Sequence, residues 1–81
     1  MVRAKIRINS INSVKDFVEK AQKAPFEIDV THERYTVDAK SIMGLFSIDC
    51  SKPLNIIIYS HDSAAIDKFF KSIKNYIVVT D

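Results

Sequence analysis

Ser41 heads the most unusual stretch of the chain, Lys40-Ser41-Ile42-Met43-Gly44-Leu45-Phe46-Ser47-Ile48. A serine before an apolar run is a natural helix N-cap, its hydroxyl accepting from the free backbone N–H groups of the first turn. Those N–H groups and the positive end of the helix dipole favour negative charge, so a phosphate esterified to Ser41 would be stabilised there. Lys40 places a cation beside it. The residues that follow pose a second question, because one short helix cannot turn Ile42, Met43, Leu45, Phe46 and Ile48 all toward a core. Some must face water, and exposed Met and aromatic side chains suit an adaptable docking surface. On physical grounds alone, the simpler account is a capped core helix with some apolar residues left outside. Gly44, the only glycine in the chain, sits where a good helix former is expected.

The remaining reactive side chains are few. Hydrolytic catalysis needs a nucleophile, a base and a group that orients the base. His32 and His61 are the only histidines, and neither lies in a motif of metal-ligand or carboxylate–histidine spacing. Both read as solvated loop histidines. Cys50 is the only cysteine, which excludes an intrachain disulfide and a multi-cysteine metal site. It reads as a small, half-buried apolar residue. A single glycine cannot build the glycine-rich loops that cradle nucleotide phosphates. These residues argue against an independent enzyme, and they call for no cofactor and no metal.

The elements that must position Ser41 follow from hydrophobic periodicity. Residues 2–8 alternate, with Val2, Ala4, Ile6 and Ile8 on one face and Arg3, Lys5 and Arg7 on the other, as in a half-buried strand. Ser10 or Ser13 then caps a helix whose apolar face is Ile11, Val14, Phe17, Val18 and Ala21, and Pro25 closes it. Phe26, Ile28 and Val30 give a second strand. Thr31-His32-Glu33-Arg34 is a polar break of hairpin length without an Asn-Gly signal, and Tyr35, Val37 and Ala39 give a third strand. The Ser41 helix comes next. Leu54, Ile56 and Ile58 form a fourth strand, with Ile57 and Tyr59 on its other face. Asp62 caps a last helix carrying Ile66, Phe69, Phe70 and Ile73, and Tyr76–Asp81 could extend that helix or peel away as a strand or tail. The order is β-α-β-β-α-β-α, an α+β fold in which helices cover one face of a small sheet.

At 81 residues and 47% hydrophobic, the chain suits one domain over residues 1–81 with a packed core. Twelve basic and ten acidic residues leave a net charge of +2, too little to indicate nucleic acid. The Arg3, Lys5, Arg7 stripe has no alternating aromatics on which bases could stack. It reads instead as a solvated strand face, where charge discourages aggregation. No signal-peptide pattern and no membrane-length apolar run is present, so the expected home is the cytosol and the expected partners are proteins.

Val37-Asp38-Ala39-Lys40-Ser41-Ile42-Met43-Gly44-Leu45-Phe46-Ser47-Ile48, followed by Leu54-Asn55-Ile56-Ile57-Ile58-Tyr59-Ser60, resembles HPr. HPr is the small histidine phosphocarrier of the bacterial phosphoenolpyruvate:sugar phosphotransferase system. The Lys-Ser-Ile-Met-Gly core is characteristic of HPr from Gram-positive bacteria, and the element order and length match over nearly the whole chain. The resemblance implies an open-faced β-sandwich with a four-stranded antiparallel sheet. It also implies that Ser41 is the target of an ATP-dependent HPr kinase/phosphorylase, the phosphoserine form docking on a catabolite control repressor. Lys40, Ile42, Met43 and Phe46 would then be the partner-binding positions.

The chain departs from the family at one place. HPr carries its transferable phosphate on a histidine at the start of the first helix, in a Gly-Ile-His-Ala-Arg-Pro-Ala type of motif. Here the region is Asn9-Ser10-Ile11-Asn12-Ser13-Val14-Lys15-Asp16-Phe17, without histidine, arginine or proline. Ungapped alignment back from Ser41 puts Ser10 at the histidine's place, and a small loop shift puts Ile11 or Asn12 there. A serine phosphate ester has little transfer potential compared with a phosphohistidine. The expectation is therefore a regulatory HPr-like protein that is not a carrier. Two alternatives stand beside it. One is a divergent carrier that uses His61, the less remote of the two histidines on this reading, or His32. The other is an interaction scaffold in which Ser41 is only a cap and the apolar patch binds a protein or a second copy. Oligomeric state is open.

Overall fold

Strand β1 (Val2–Ile6) opens the chain and leads into helix α1 (Ile11–Lys23) in a computed structural model that describes residues 1–78. Strands β2 (Glu27–His32) and β3 (Tyr35–Asp38) form a hairpin, followed by helix α2 (Ile42–Phe46), strand β4 (Leu54–Tyr59) and helix α3 (Ser63–Ser72). A 3₁₀ turn over Lys74–Tyr76 comes last. The element order is the one that the periodicity predicts.

The four strands make one sheet in the order β1-β4-β2-β3, with every neighbouring pair antiparallel. Ile6, Ile28, Val30, Leu54, Ile56 and Ile58 point to one face and are fully buried. Val14, Phe17, Val18 and Ala21 of α1, Leu45 of α2, and Ile66 and Phe69 of α3 cover that face and join the same core. Each large apolar side chain buried there contributes about 1.5–3 kcal/mol relative to exposure. Arg3, Lys5 and Arg7 are exposed on the open face, as the alternation requires.

Register fixes which loops share an end of the sheet. Ile6 stands opposite Leu54 and Val2 opposite Ile58, while Thr31 stands opposite Asn55 and Glu27 opposite Tyr59. The end of β1 that feeds α1, the start of β4 and the end of β2 therefore lie together. Ser10 and His32 are at this end of the sheet, and His61 is at the other.

Local chemistry sets the helix ends. Ser10 Oγ accepts from the Ser13 N–H at 3.1 Å, so Ser10 rather than Ser13 caps α1. Ala24, immediately before Pro25, has extended backbone (φ −74°, ψ 140°) and ends the helix. Asp62 Oδ1 caps α3 by accepting from the Ala65 N–H at 3.1 Å.

Several boundaries differ from the sequence reading, including the start of β2 at Glu27 and the end of α3 at Ser72, and three bear on the sheet. β1 stops at Ile6 rather than Ile8, because its partner β4 begins at Leu54 and offers nothing further to pair with. The C-terminal segment takes over: the Arg7 N–H donates to the Tyr76 carbonyl and the Val78 N–H to the Lys5 carbonyl, each at 2.8 Å. Ile77 forms an antiparallel bridge with Ile6, and Ile8 stays fully buried beyond the strand. Within Tyr76–Asp81, Tyr76 thus ends a 3₁₀ turn and Ile77 extends the sheet edge, while residues 79–81 lie outside the described residues. The hairpin is also tighter than Thr31–Arg34. β2 runs through His32, leaving only Glu33 and Arg34 in the turn, with Glu33 at φ 55°. Finally, β3 ends at Asp38, and buried Ala39 donates its N–H to the Ile28 carbonyl at 2.9 Å.

Candidate functional site

Ser41 sits at the junction of β3 and α2, in extended backbone at φ −107°, ψ 109°. Its N–H donates to the Asp38 carbonyl at 3.0 Å, and its own carbonyl accepts from Leu45 at 3.1 Å. Its Oγ accepts from the Gly44 N–H at 3.2 Å, which is the N-cap geometry expected from the sequence. The residue is half-buried, and its backbone is pinned by the bonds to Asp38 and Leu45.

The lone glycine has a steric reason. A Cβ on Gly44 would stand 3.2 Å from Val37 Cβ and 3.4 Å from Ser41 Oγ. The close approach lets α2 lie against β3 with the Ser41 hydroxyl tucked onto the Gly44 N–H. Glycine costs roughly 0.5–1 kcal/mol of helix stability, offset here by a contact that a larger residue would push apart.

α2 distributes its apolar residues unevenly. Leu45 is fully buried, whereas Met43 is 76% and Phe46 46% exposed. Ile42 and Ile48 are half-buried against the core. Ile42 is thus more a packing residue than the exposed docking position expected, because it lies on the flank of the single turn that faces the core. Lys40 also departs from expectation. Its Nζ donates to the Ala24 carbonyl at 3.0 Å, and its own carbonyl accepts from Gln22 Nε2 at 3.0 Å. The ammonium offsets the partial negative charge at the α1 C-terminus and is directed there rather than at the serine hydroxyl.

The exposed apolar surface continues onto the start of α1. Ile11 is 64% exposed, and a shallow cleft of about 200 Å³ runs between Ile11 and Phe46, floored by Ile8, Val14 and Leu45. Ser10 lines this cleft, and its Oγ and that of Ser13 are 2.7 Å apart. Asn12 is exposed on the first turn of α1. The structure therefore brings Ser10, Ile11 and Phe46 to one cleft. Nothing in the local sequence around either segment announces this juxtaposition, which arises from the packing of α1 against α2.

The histidines change rank. His61 is exposed in the connection between β4 and α3, at the far end of the sheet from Ser10. His32 is at the near end. It shares the strand parity of buried Ile28 and Val30, and its side chain is only 15% exposed. The expectation that His61 is the less remote is reversed, because antiparallel pairing of β4 with β1 carries the end of β4 away from α1. His32 Nε2 is 4.0 Å from Glu33 Oε1. Cys50 Sγ donates to the Leu45 carbonyl at 3.3 Å, and burial raises its thiol above the ordinary cysteine range, with Asp49 adding to the shift. A protonated, half-buried thiol is a poor nucleophile. Among the described residues no group of three His, Cys, Asp or Glu could hold a metal, and no helix is long and apolar enough to cross a membrane.

Comparison with known proteins gives a consistent picture. Residues 11–77 match the family model described as the PTS HPr component phosphorylation site. Among solved structures, an HPr protein from Thermoanaerobacter tengcongensis (HPr-C-His) is similar at 26% identity and TM-score 0.74, over 93% of each chain. A mycoplasma histidine-containing phosphocarrier protein shares the fold at 17% identity and TM-score 0.69, over 91% of this chain and 89% of that one. The phosphocarrier protein HPr of Bacillus anthracis does so at 23% identity and TM-score 0.65, over 88% and 94%. No curated protein sequence matches significantly.

Proposed function

Since the chain belongs to the HPr family of the phosphotransferase system, whose members are phosphocarrier proteins that work through other proteins, we propose that it is a regulatory member that does not carry phosphate on a histidine. The observation on which the reading rests is the start of α1. The resemblance puts Ser10, or with a small loop shift Ile11 or Asn12, at the place of the carrier histidine, and no histidine occurs from Asn9 to Phe17. Phosphate on a serine there would be an ester, too stable to be handed onward.

The regulatory site is Ser41, phosphorylated by an HPr kinase/phosphorylase at the expense of ATP. Attack of Ser41 Oγ on the terminal phosphorus forms the ester and releases ADP, with the hydroxyl proton passing to a base of the kinase. A half-buried serine on a pinned backbone supports this reading. The product gains close to two negative charges. With Lys40 committed to the Ala24 carbonyl, that charge is left for basic groups of a partner, the expected one being a catabolite control repressor. Met43 and Phe46 supply the apolar part of the docking surface. Incubation with HPr kinase and ATP, read by intact mass, should add one phosphoryl group to the wild type and none to Ser41→Ala. An unmodified wild type would refute the reading.

His32 favours one second reading, a divergent carrier. It lies at the Ser10 end of the sheet with its side chain on the helix-covered face. Incubation with phosphoenolpyruvate and enzyme I would then leave an acid-labile phosphate that His32→Ala abolishes.

A further inference from the structure

A cleft larger than the one beside Phe46 lies away from Ser41, between the C-terminal half of α1 and α3. It encloses about 380 Å³, within the size range of small-molecule sites. Its apolar floor is formed by Ala24, Pro25, Ala65 and Phe69. Phe69 is braced by edge contacts with Phe17 and Phe26, at ring-centroid distances of 6.4 and 5.9 Å, so the floor is firm.

The rim has a different character. Lys20, Lys23 and Lys68 line the cleft, and no carboxylate does. The cleft beside Phe46 is lined by no charged residue at all, so three cations at one opening are a local feature of a chain with net charge +2. Two of them have other duties. Lys20 Nζ is 3.1 Å from Asp16 Oδ2 and Lys23 Nζ is 3.7 Å from Glu19 Oε1, and both sit in the last turn of α1, where cations offset the helix dipole. Lys68 has neither role. It lies mid-way along α3 and has no ion pair among the described residues. The Ala24 carbonyl is held by Lys40 Nζ at 3.0 Å.

We propose that this cleft binds a small amphipathic anion, a carboxylate on a short apolar body. The apolar body lies on Phe69, Pro25 and the two alanines, and the carboxylate pairs with Lys68, with Lys20 and Lys23 adding to the field. A cationic amphiphile of equal length would face only like charge, and inorganic phosphate would leave the apolar floor unused. Both are therefore weaker fits than an amphipathic carboxylate.

The test is a titration of the ¹⁵N-labelled full chain with sodium octanoate, read by backbone amide shifts. Saturable shifts centred on Ala24, Ala65 and Phe69 are expected, with half-saturation at about 1 mM. Lys68→Glu should weaken binding about tenfold or more, and Ala65→Leu, which fills the cleft sterically, should abolish it. Ser41→Ala should bind octanoate as the wild type does, so this result is independent of any phosphorylation. Octylammonium and inorganic phosphate should leave these amides unmoved. The proposal is overturned by the absence of saturation up to about 10 mM, by shifts centred on Ile11 and Phe46, or by equal binding of octylammonium.

Discussion

Truncating Leu45 and Met43 to alanine, one at a time, should have sharply different consequences although the residues lie two positions apart on one helical turn. Leu45 is fully buried, and removing a buried leucine costs about 2–5 kcal/mol from lost transfer energy and the cavity left behind. Met43 is 76% exposed, so only about a quarter of the 1.5–3 kcal/mol of full burial is at stake, roughly 0.5 kcal/mol. For a domain of this size each kcal/mol shifts Tm by about 4–8 °C. Leu45→Ala should therefore lower Tm by about 10 °C or more and Met43→Ala by about 4 °C or less, measured by circular dichroism with urea unfolding alongside. Met43→Asp then tests docking without unfolding the chain. An acidic residue in the first turn of a helix gains about 0.3–1 kcal/mol from the dipole, which offsets the small loss of burial. Its Tm should stay near that of the wild type while the rate of Ser41 phosphorylation by HPr kinase falls about tenfold, the loss of roughly 1.4 kcal/mol of contact. Equal Tm losses for Met43→Ala and Leu45→Ala would mean that both pack in the core, and the division of α2 into a folding side and a docking side would be wrong.

Other substitutions test the frame around the site. The Tyr76 hydroxyl donates to Asp16 Oδ2 at 2.6 Å and ties the C-terminal segment to α1; Tyr76→Phe should cost about 1 kcal/mol at neutral pH, Asp16 being partly solvated. That bond, with help from Lys20, holds the Asp16 carboxyl below the ordinary aspartate range, and its counterpart raises the Tyr76 phenol above the ordinary tyrosine range. The aspartate's contribution is present above an unfolded pKa of about 3.9 and is lost as pH falls through the lower folded value; the tyrosine's is present below about 10 and is lost as pH rises through the higher folded value. Urea unfolding across pH should show the gap between wild type and Tyr76→Phe narrowing at both extremes and widest between them. Glu33→Gly should stabilise the chain by about 0.5–1 kcal/mol in the same assay, because Glu33 holds φ 55° in a two-residue turn where glycine pays no steric cost. Gly44→Val should destabilise it by about 1–3 kcal/mol, since even the first side-chain carbon already crowds Val37 and Ser41 Oγ.

Most strands and helices were legible because they bury one face, and burial imprints a period of two or near 3.6 on the sequence. β3 buries none of its residues, and Tyr35, which the alternation turned inward, is 58% exposed. Ser41 and Asp62 were readable as caps, and Ser10 as one of two candidates, for the same local reason: each is a short polar residue immediately before an apolar periodic run. What stayed hidden depends on contacts between distant segments. The end of β1 is set by where β4 begins and by the arrival of Ile77 beside Ile6, neither of which leaves a trace near residue 8. Lys40 looked like a neighbour of the Ser41 hydroxyl because the two are adjacent in sequence; its long side chain instead reaches a carbonyl sixteen residues away. The ranking of His32 over His61 needed the strand register. The lysine-rimmed cleft needed α1 and α3 to meet, since Lys20, Lys23 and Lys68 share no local pattern.

The claim that matters most is that phosphate enters this chain at Ser41 and not at a histidine. It is tested most directly by two parallel incubations, one with HPr kinase and ATP and one with phosphoenolpyruvate and enzyme I, each followed by intact mass before and after mild acid. The account predicts one acid-stable phosphoryl group from the first, absent in Ser41→Ala, and none from the second. An acid-labile group from the second incubation, lost on substitution of His32 or His61, would contradict it.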